Sequence, residues 1–151
     1  MDNVSVVMAT YNGEKYLEEQ ITSILSSTYK DFQLYIVDDG SQDNTLEIIN
    51  RYMDKYPDKI HLSKNEHNLG VTLNFLNAVS KTSSEYIMLC DQDDVWKADK
   101  IAKTLRRVKQ MEVQFGKELP IAVFTDAYIV DESLNIIHES FFNSGRLNPG
   151  L

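Results

Sequence analysis

Three carboxylates crowd into four residues at Asp91-Gln92-Asp93-Asp94, directly after the apolar run Tyr86-Ile87-Met88-Leu89-Cys90. Like charges this close repel one another, and a bound divalent cation relieves them. Mg²⁺ and Mn²⁺ prefer oxygen donors, and Mg²⁺ commonly bridges one or two carboxylates to substrate phosphates while keeping several waters. Asp91 and Asp93, separated by one residue, suit that arrangement. The chemistry expected here is cation-assisted handling of a diphosphate. Asp94 is expected instead to cap a helix starting after Lys97, where an acidic residue is favourable.

Other polar clusters interrupt apolar runs in the same way. Asp38-Asp39-Gly40-Ser41 ends a second run, and Asp39 stands where an acid accepts hydrogen bonds from a ribose or a base. Asp38 fits a ligand contact and an Asx-type turn equally well. Thr10-Tyr11-Asn12-Gly13 follows a β-branched run, and Asn68 and Gly70 close a polar loop. The side chains of His61, His67 and His138 lack metal-ligand spacing and read as ordinary surface or strand positions. Trp96 either shields a pocket or contacts a sugar, or equally packs as a core aromatic. Asp126 and Asp131 read as turn residues. Cys90, the one cysteine, reads as a buried thiol.

The elements that must position these groups follow from periodicity. Residues 4–9 and 32–37 read as strands, residues 59–62 as a short third strand, and residues 86–90 as a strand apolar enough to lie centrally with helices on both faces. Helices are expected from Glu14 (Leu17, Ile21, Ile24, Leu25), after Asn44 (Leu46, Ile49, Tyr52, Met53), after Gly70 (Leu73, Leu76, Val79) and after Lys97 (Ile101, Leu105, Val108). Asn44 with Glu47 reads as a capping box, and Pro57 stops that helix. Residues 121–124 are expected to form a fifth strand, and residues 127–130 with 135–138 a hairpin-like pair. Residues 141–151 show no clear period.

Four strand–helix repeats imply a doubly wound α/β domain with a mostly parallel sheet flanked by helices. In such sheets ligands bind beyond the carboxyl ends of the strands, near helix N-termini. The polar clusters all fall there, so one sheet edge collects several carboxylates.

The 151 residues, 42% hydrophobic and 25% charged, suit one globular domain spanning 1–151, long enough to bury roughly two-thirds of its unfolded surface. A net charge of -8, from 15 basic and 23 acidic residues, disfavours nucleic acid as a partner. Only residues 97–109 are locally basic, as one solvated helix face. With no long apolar run and no secretion signal, a cytoplasmic start is expected.

The segments Val4-Ser-Val-Val-Met-Ala-Thr-Tyr-Asn-Gly13, Ile36-Val-Asp-Asp-Gly-Ser41, Asn68-Leu-Gly70 and Asp91-Gln-Asp-Asp94, in this order, resemble the family 2 inverting glycosyltransferases of the Rossmann-like GT-A fold. Asp91-Gln-Asp-Asp-Val-Trp96 with Phe124-Thr-Asp-Ala127 is similar to rhamnosyltransferase-like members. The resemblance implies that Ala9, Thr10 and Tyr11 line a nucleotide pocket, that Asp39 contacts a uracil or thymine base or its ribose, and that Asp91 faces the ribose and diphosphate. Asn68, Gly70 and Gln92 complete the donor set, and Asp93, with Asp91, holds Mg²⁺ or Mn²⁺.

It also implies a UDP- or dTDP-sugar donor, a saccharide or lipid-linked saccharide acceptor, and cell-surface polysaccharide assembly at the cytoplasmic face of a membrane with peripheral association. Oligomeric state is left open. The family's general base lies well beyond the metal motif, and no match to its acceptor-side pattern occurs by Leu151. The expectation is a chain lacking the acceptor-binding half, with a non-catalytic nucleotide-sugar-binding module as the alternative. A receiver domain would carry its acidic pair after strand one, where Thr10-Tyr11-Asn12 stands. A nucleotidyltransferase would carry a Gly-rich basic loop there.

Overall fold

The computed structural model describes residues 3–145, so the last part of the aperiodic 141–151 segment lies outside the described residues. The chain forms two compact units, Met1–Leu105 and Arg106–Leu151. No helix among the described residues is long and apolar enough to cross a membrane.

In the first unit, β1 (Val4–Thr10), β2 (Phe32–Asp38), β3 (Ile60–Lys64) and β4 (Tyr86–Asp91) form one parallel sheet in the order β3-β2-β1-β4. The α/β architecture expected from the sequence is the one observed. Register decides where the chemistry falls: Thr10 pairs with Asp38, Asp38 with Lys64, and Ala9 with Asp91. All the carboxyl ends therefore open onto one edge.

Helices α1 (Leu17–Leu25), α2 (Thr45–Lys55) and α3 (Val71–Ser80) connect the strands. The α1 helix buries Leu17, Gln20, Ile21 and Ile24, and its Gln20 reaches Cys90 of β4. It thus lies on the sheet face that carries Met8, the register partner of Cys90. The opposite face, with Val7 and Val37, packs against Ala78, Phe75 and Val79 of α3. Each fully buried aliphatic side chain contributes about 1.5–3 kcal/mol relative to exposure.

Several expectations change. The β4 strand sits at the sheet edge rather than centrally, and its burial alternates. Ile87 and Leu89, the register partners of Ser5 and Val7, are exposed, Leu89 at 56%. The α3 helix is turned away from the expected stripe: Leu73 and Leu76 are exposed, while Asn74 and Ala78 are buried. This helix carries apolar residues on every side, so periodicity could not orient it. A hydrogen bond from Asn74 Nδ2 to the Val37 carbonyl (3.1 Å) does.

The capping box of α2 is also absent. Asn44 makes no side-chain cap, because its amide donates to Glu14 Oε2 (2.8 Å), while Asp43 Oδ1 accepts from the Thr45 N–H (3.0 Å).

The helix α4 (Lys100–Phe115) follows, with Ile101 and Leu105 buried. In the second unit, residues 121–124 form no strand, and Phe124 is 84% exposed. A strand needs a neighbour's backbone to satisfy its own amides and carbonyls, and none pairs with this segment among the described residues. The hairpin does form, as β5 (Ile129–Val130) antiparallel to β6 (Ile136–His138). Its turn is held by Asp131, whose Oδ1 accepts from the Ser133 and Asn135 N–H groups. Asp126 Oδ1 likewise accepts from Ala127 and Phe142 N–H. Both aspartates are turn residues, as expected.

Candidate functional site

The carboxyl edge of the first unit's sheet forms a cleft of about 420 Å³ lined by Ala9, Thr10, Tyr11, Asp39, Asn68, Gly70, Val71, Asn74, Phe75, Asp91, Gln92 and Asp93. Every residue assigned to a donor or metal site from the sequence lines this one cleft. Val71, Asn74 and Phe75 were missed. Asn74 carried a signal, since a polar residue among the apolar positions of a helix needs a partner when buried.

The ends of β1 and β2 are laced together. Asp38, fully buried, accepts hydrogen bonds from Thr10 Oγ1 (3.3 Å), the Gly40 and Ser41 N–H groups (3.1 and 3.0 Å) and Ser41 Oγ. Its Asx-turn reading is therefore the one the geometry realises, and the Thr10 hydroxyl is committed to it. Asn12 adopts a left-handed backbone (φ 49°). Its N–H donates to Ser41 Oγ (2.9 Å) and its Oδ1 accepts from Gln42 N–H (2.8 Å).

Asp39, 2% exposed, anchors the 65–70 loop: Oδ1 accepts from Asn65 Nδ2 (2.7 Å) and Leu69 N–H (2.8 Å), and Oδ2 from Gly70 N–H (2.9 Å). Asn68 Oδ1 also accepts from Gly70 N–H (3.0 Å). Gly70 has φ 79°, a left-handed conformation that a side chain would strain, just where α3 begins. Asn74 Oδ1 accepts from Asn65 Nδ2 (3.0 Å), closing the network. Carboxylate oxygens have about four acceptor sites between them, so Asp39 retains capacity toward the cleft.

The acidic turn after β4 is held from two sides. Buried Gln20 donates to the Asp91 carbonyl (3.2 Å) and to Cys90 Sγ (2.7 Å), and Ser23 Oγ accepts from the Trp96 N–H (2.9 Å). On the side of β1, Gln92 engages the Tyr11 backbone at both its N–H and its carbonyl. The Gln92 side chain thus lines the cleft while bonded to the Tyr11 backbone.

Asp91 and Asp93 differ from Asp38 and Asp39 in having no hydrogen bond to their carboxylates among the described residues. Asp91 reaches water but is partly desolvated, and that burial, with the Asp93 charge beside it, holds its carboxyl above the usual carboxylate range. Asp94 is raised by burial and by Asp91 and Asp93, with Lys100 opposing. It does not cap a helix, since α4 begins only at Lys100, where Asp99 pairs with Lys103 (2.7 Å). The chain spends residues 95–99 on docking Trp96 and bonding Ala98 to Thr28 before the helix starts.

Trp96 is buried beneath the Lys100 ammonium, 5.0 Å from its ring centroid, and does not line the cleft. It is a packed aromatic. The Cys90 thiol is buried as expected, and its burial pushes its pKa up. His61 stacks on Tyr35 (4.7 Å between centroids) and pairs with Gln33, an ordinary strand role.

No group of three or more His, Cys, Asp or Glu side chains among the described residues is arranged to hold a metal ion. Two water-accessible carboxylates whose charges are mutually unfavourable do fit a hard divalent cation that completes its shell with ligand phosphate oxygens and water. Asp91 and Asp93 are the residues that would hold it.

The family model described as Glycosyl transferase family 2 matches residues 5–117. A glycosyltransferase of Methanocaldococcus jannaschii, MJ1057, is 40% identical over 90% of this chain and 45% of its own length. The dTDP-rhamnosyl transferase RfbG of Shigella flexneri is 38% identical over 65% of this chain and 35% of its own. Among solved structures, S. aureus TarS 1-349 in complex with UDP superposes with a TM-score of 0.62 at 25% identity, covering 86% of this chain and 42% of that one. The chain spans less than half the length of the curated relatives it matches.

Proposed function

The chain belongs to glycosyl transferase family 2, and from that membership we propose that it carries the donor-binding half of an inverting glycosyltransferase. The cleft takes a nucleotide diphosphate-sugar, UDP- or dTDP-linked, together with Mg²⁺ or Mn²⁺. The sugar passes to a saccharide or lipid-linked saccharide acceptor in cell-surface polysaccharide synthesis at the cytoplasmic face of a membrane.

One observation carries this reading: segments following all four strands line one cleft, in which Asp91 and Asp93 are the carboxylates with no protein hydrogen bond among the described residues. A divalent cation, when bound, neutralises charge on the departing nucleoside diphosphate. The chain's own residues orient and bind. Tyr11 presents its exposed ring beside the nucleoside, Asp39 offers its remaining lone pairs to base or ribose, and Asp91 and Asp93 meet the diphosphate end. The UDP complex of TarS supports the uridine alternative, and the name of RfbG supports the dTDP-rhamnose one.

Inversion requires a single attack by an acceptor hydroxyl and a base to take its proton. We place that base outside residues 1–151.

Calorimetry with UDP and with dTDP, each with Mn²⁺ and with a chelator, tests the proposal. The expected result is cation-dependent binding that Asp93→Ala abolishes. Equal affinity in chelator overturns the metal assignment. Sugar transfer by a longer chain that retains this region, and none by residues 1–151, separates a catalytic domain from a binding module.

A further inference from the structure

Resting on the reading of the cleft as a nucleotide and cation site, we infer that Gln92 is a positioning residue that couples the acidic turn after β4 to the end of β1. Its carboxamide Oε1 accepts from the Tyr11 N–H at 2.9 Å, and its Nε2 donates to the Tyr11 carbonyl at 3.1 Å. One side chain thereby occupies both backbone groups of one residue, as a neighbouring strand would. Backbone pairing between β1 and β4 ends at Ala9 and Asp91, and the Gln92 side chain carries the pairing past that point.

A carboxamide is suited to this because it presents a donor and an acceptor side by side; a carboxylate or an aliphatic side chain does not. The neighbouring sequence makes room for it. A Cβ at Gly13 would stand 2.3 Å from Gln92 Oε1 and 2.7 Å from its Cδ. Gly13 has no φ that demands glycine, so this close approach is what a side chain there would disturb.

The consequence is mechanical. Asp91 and Asp93 flank Gln92 in the chain, so a cation drawn to either carboxylate fixes the turn that carries the clamp. The clamp fixes Tyr11, which lines the same cleft beside it. Ordering the acidic turn lowers the cost of ordering the end of β1, so cation and nucleoside each raise the affinity for the other by the same factor.

The test uses the 151-residue chain, UDP, Mn²⁺ and a chelator. The coupling factor is the ratio of UDP affinity in Mn²⁺ to UDP affinity in chelator. Complexation of Mn²⁺ by free UDP is common to every variant and cancels on comparison. Gln92→Met keeps the length of the side chain and removes its hydrogen bonds; Gly13→Ala retains the Gln92 residue but pushes its carboxamide out of position. Both are expected to lower the factor by about 5-fold or more and to speed hydrogen exchange at the Tyr11 amide, with the far-ultraviolet dichroism unchanged. A factor that either folded variant leaves at the wild-type value overturns the coupling, as does unchanged Tyr11 exchange in Gln92→Met. A wild-type factor of one overturns the nucleotide-and-cation reading itself.

Discussion

Asp38-Asp39 at the end of β2 and Asp91-Gln92-Asp93 at the end of β4 lie on either side of β1, at the same edge of one sheet. In sequence both are acidic runs that stop an apolar strand. Their surroundings are opposite. Asp38 and Asp39 are buried and collect hydrogen bonds from Thr10, Gly40, Ser41, Asn65, Leu69 and Gly70. Asp91 carries a raised pKa from burial and from Asp93, and no donor among the described residues reaches its carboxylate. The first pair holds loops together, and the carboxylates of the second make no hydrogen bond among the described residues.

That contrast breaks most visibly at Asp38. Asp38→Ala strands several buried donors, and hydrogen bonds to charged groups are worth about 1.5–3 kcal/mol each. A loss of about 3 kcal/mol in unfolding free energy is expected by urea denaturation, and no change would erase the structural role. The reverse pattern is expected at the other pair. Asp93→Ala should weaken UDP binding in Mn²⁺ about 100-fold, near the 1–3 kcal/mol scale of coupled sites, while unfolding free energy stays within about 0.5 kcal/mol.

Asp39→Asn sharpens the comparison, because it keeps one acceptor but sets an amide N–H against the donors that now serve Asp39. A cost of about 1–2 kcal/mol is expected, with faster hydrogen exchange at the Leu69 and Gly70 amides.

The smallest effect concerns Asp91→Asn. A carboxyl whose folded pKa is raised favours its protonated form on folding. That contribution is present below the unfolded pKa and is lost as pH rises through the folded value. In cation-free buffer at neutral pH the variant should therefore be the more stable, by a few tenths of a kcal/mol once solvent screening is allowed for. The difference should vanish near about pH 3, below the ordinary aspartate pKa. A variant less stable than the parent at neutral pH would show that the Asp91 charge is compensated.

How far the sequence carried varies by element for physical reasons. β1 and β2 were readable because both are apolar runs that end in turn chemistry. β4 was readable as a strand but not as an edge, since the composition of a strand does not state how many neighbours it has. α3 was readable as a helix but not in its rotation, which the buried Asn74 decides. The segment 121–124 looked like a strand by composition, yet pairing with another segment is what makes one.

At the site, the residues that line the cleft were legible because strand ends in a parallel sheet share an edge. Their division of labour was not. That Gln92 is bonded to the Tyr11 backbone was not visible, and Asp94 looked like a helix cap although α4 begins only at Lys100.

The sequence by itself determined the order of the elements and which residues stand at the carboxyl edge, because strand periodicity and turn residues are local properties. Only the tertiary structure decided which carboxylates are already satisfied. The donors to Asp39 come from 26 to 31 residues away, and the partner of Gln92 from 81 away. Hydrogen bonds at that separation depend on how the chain folds back on itself, which no local pattern records.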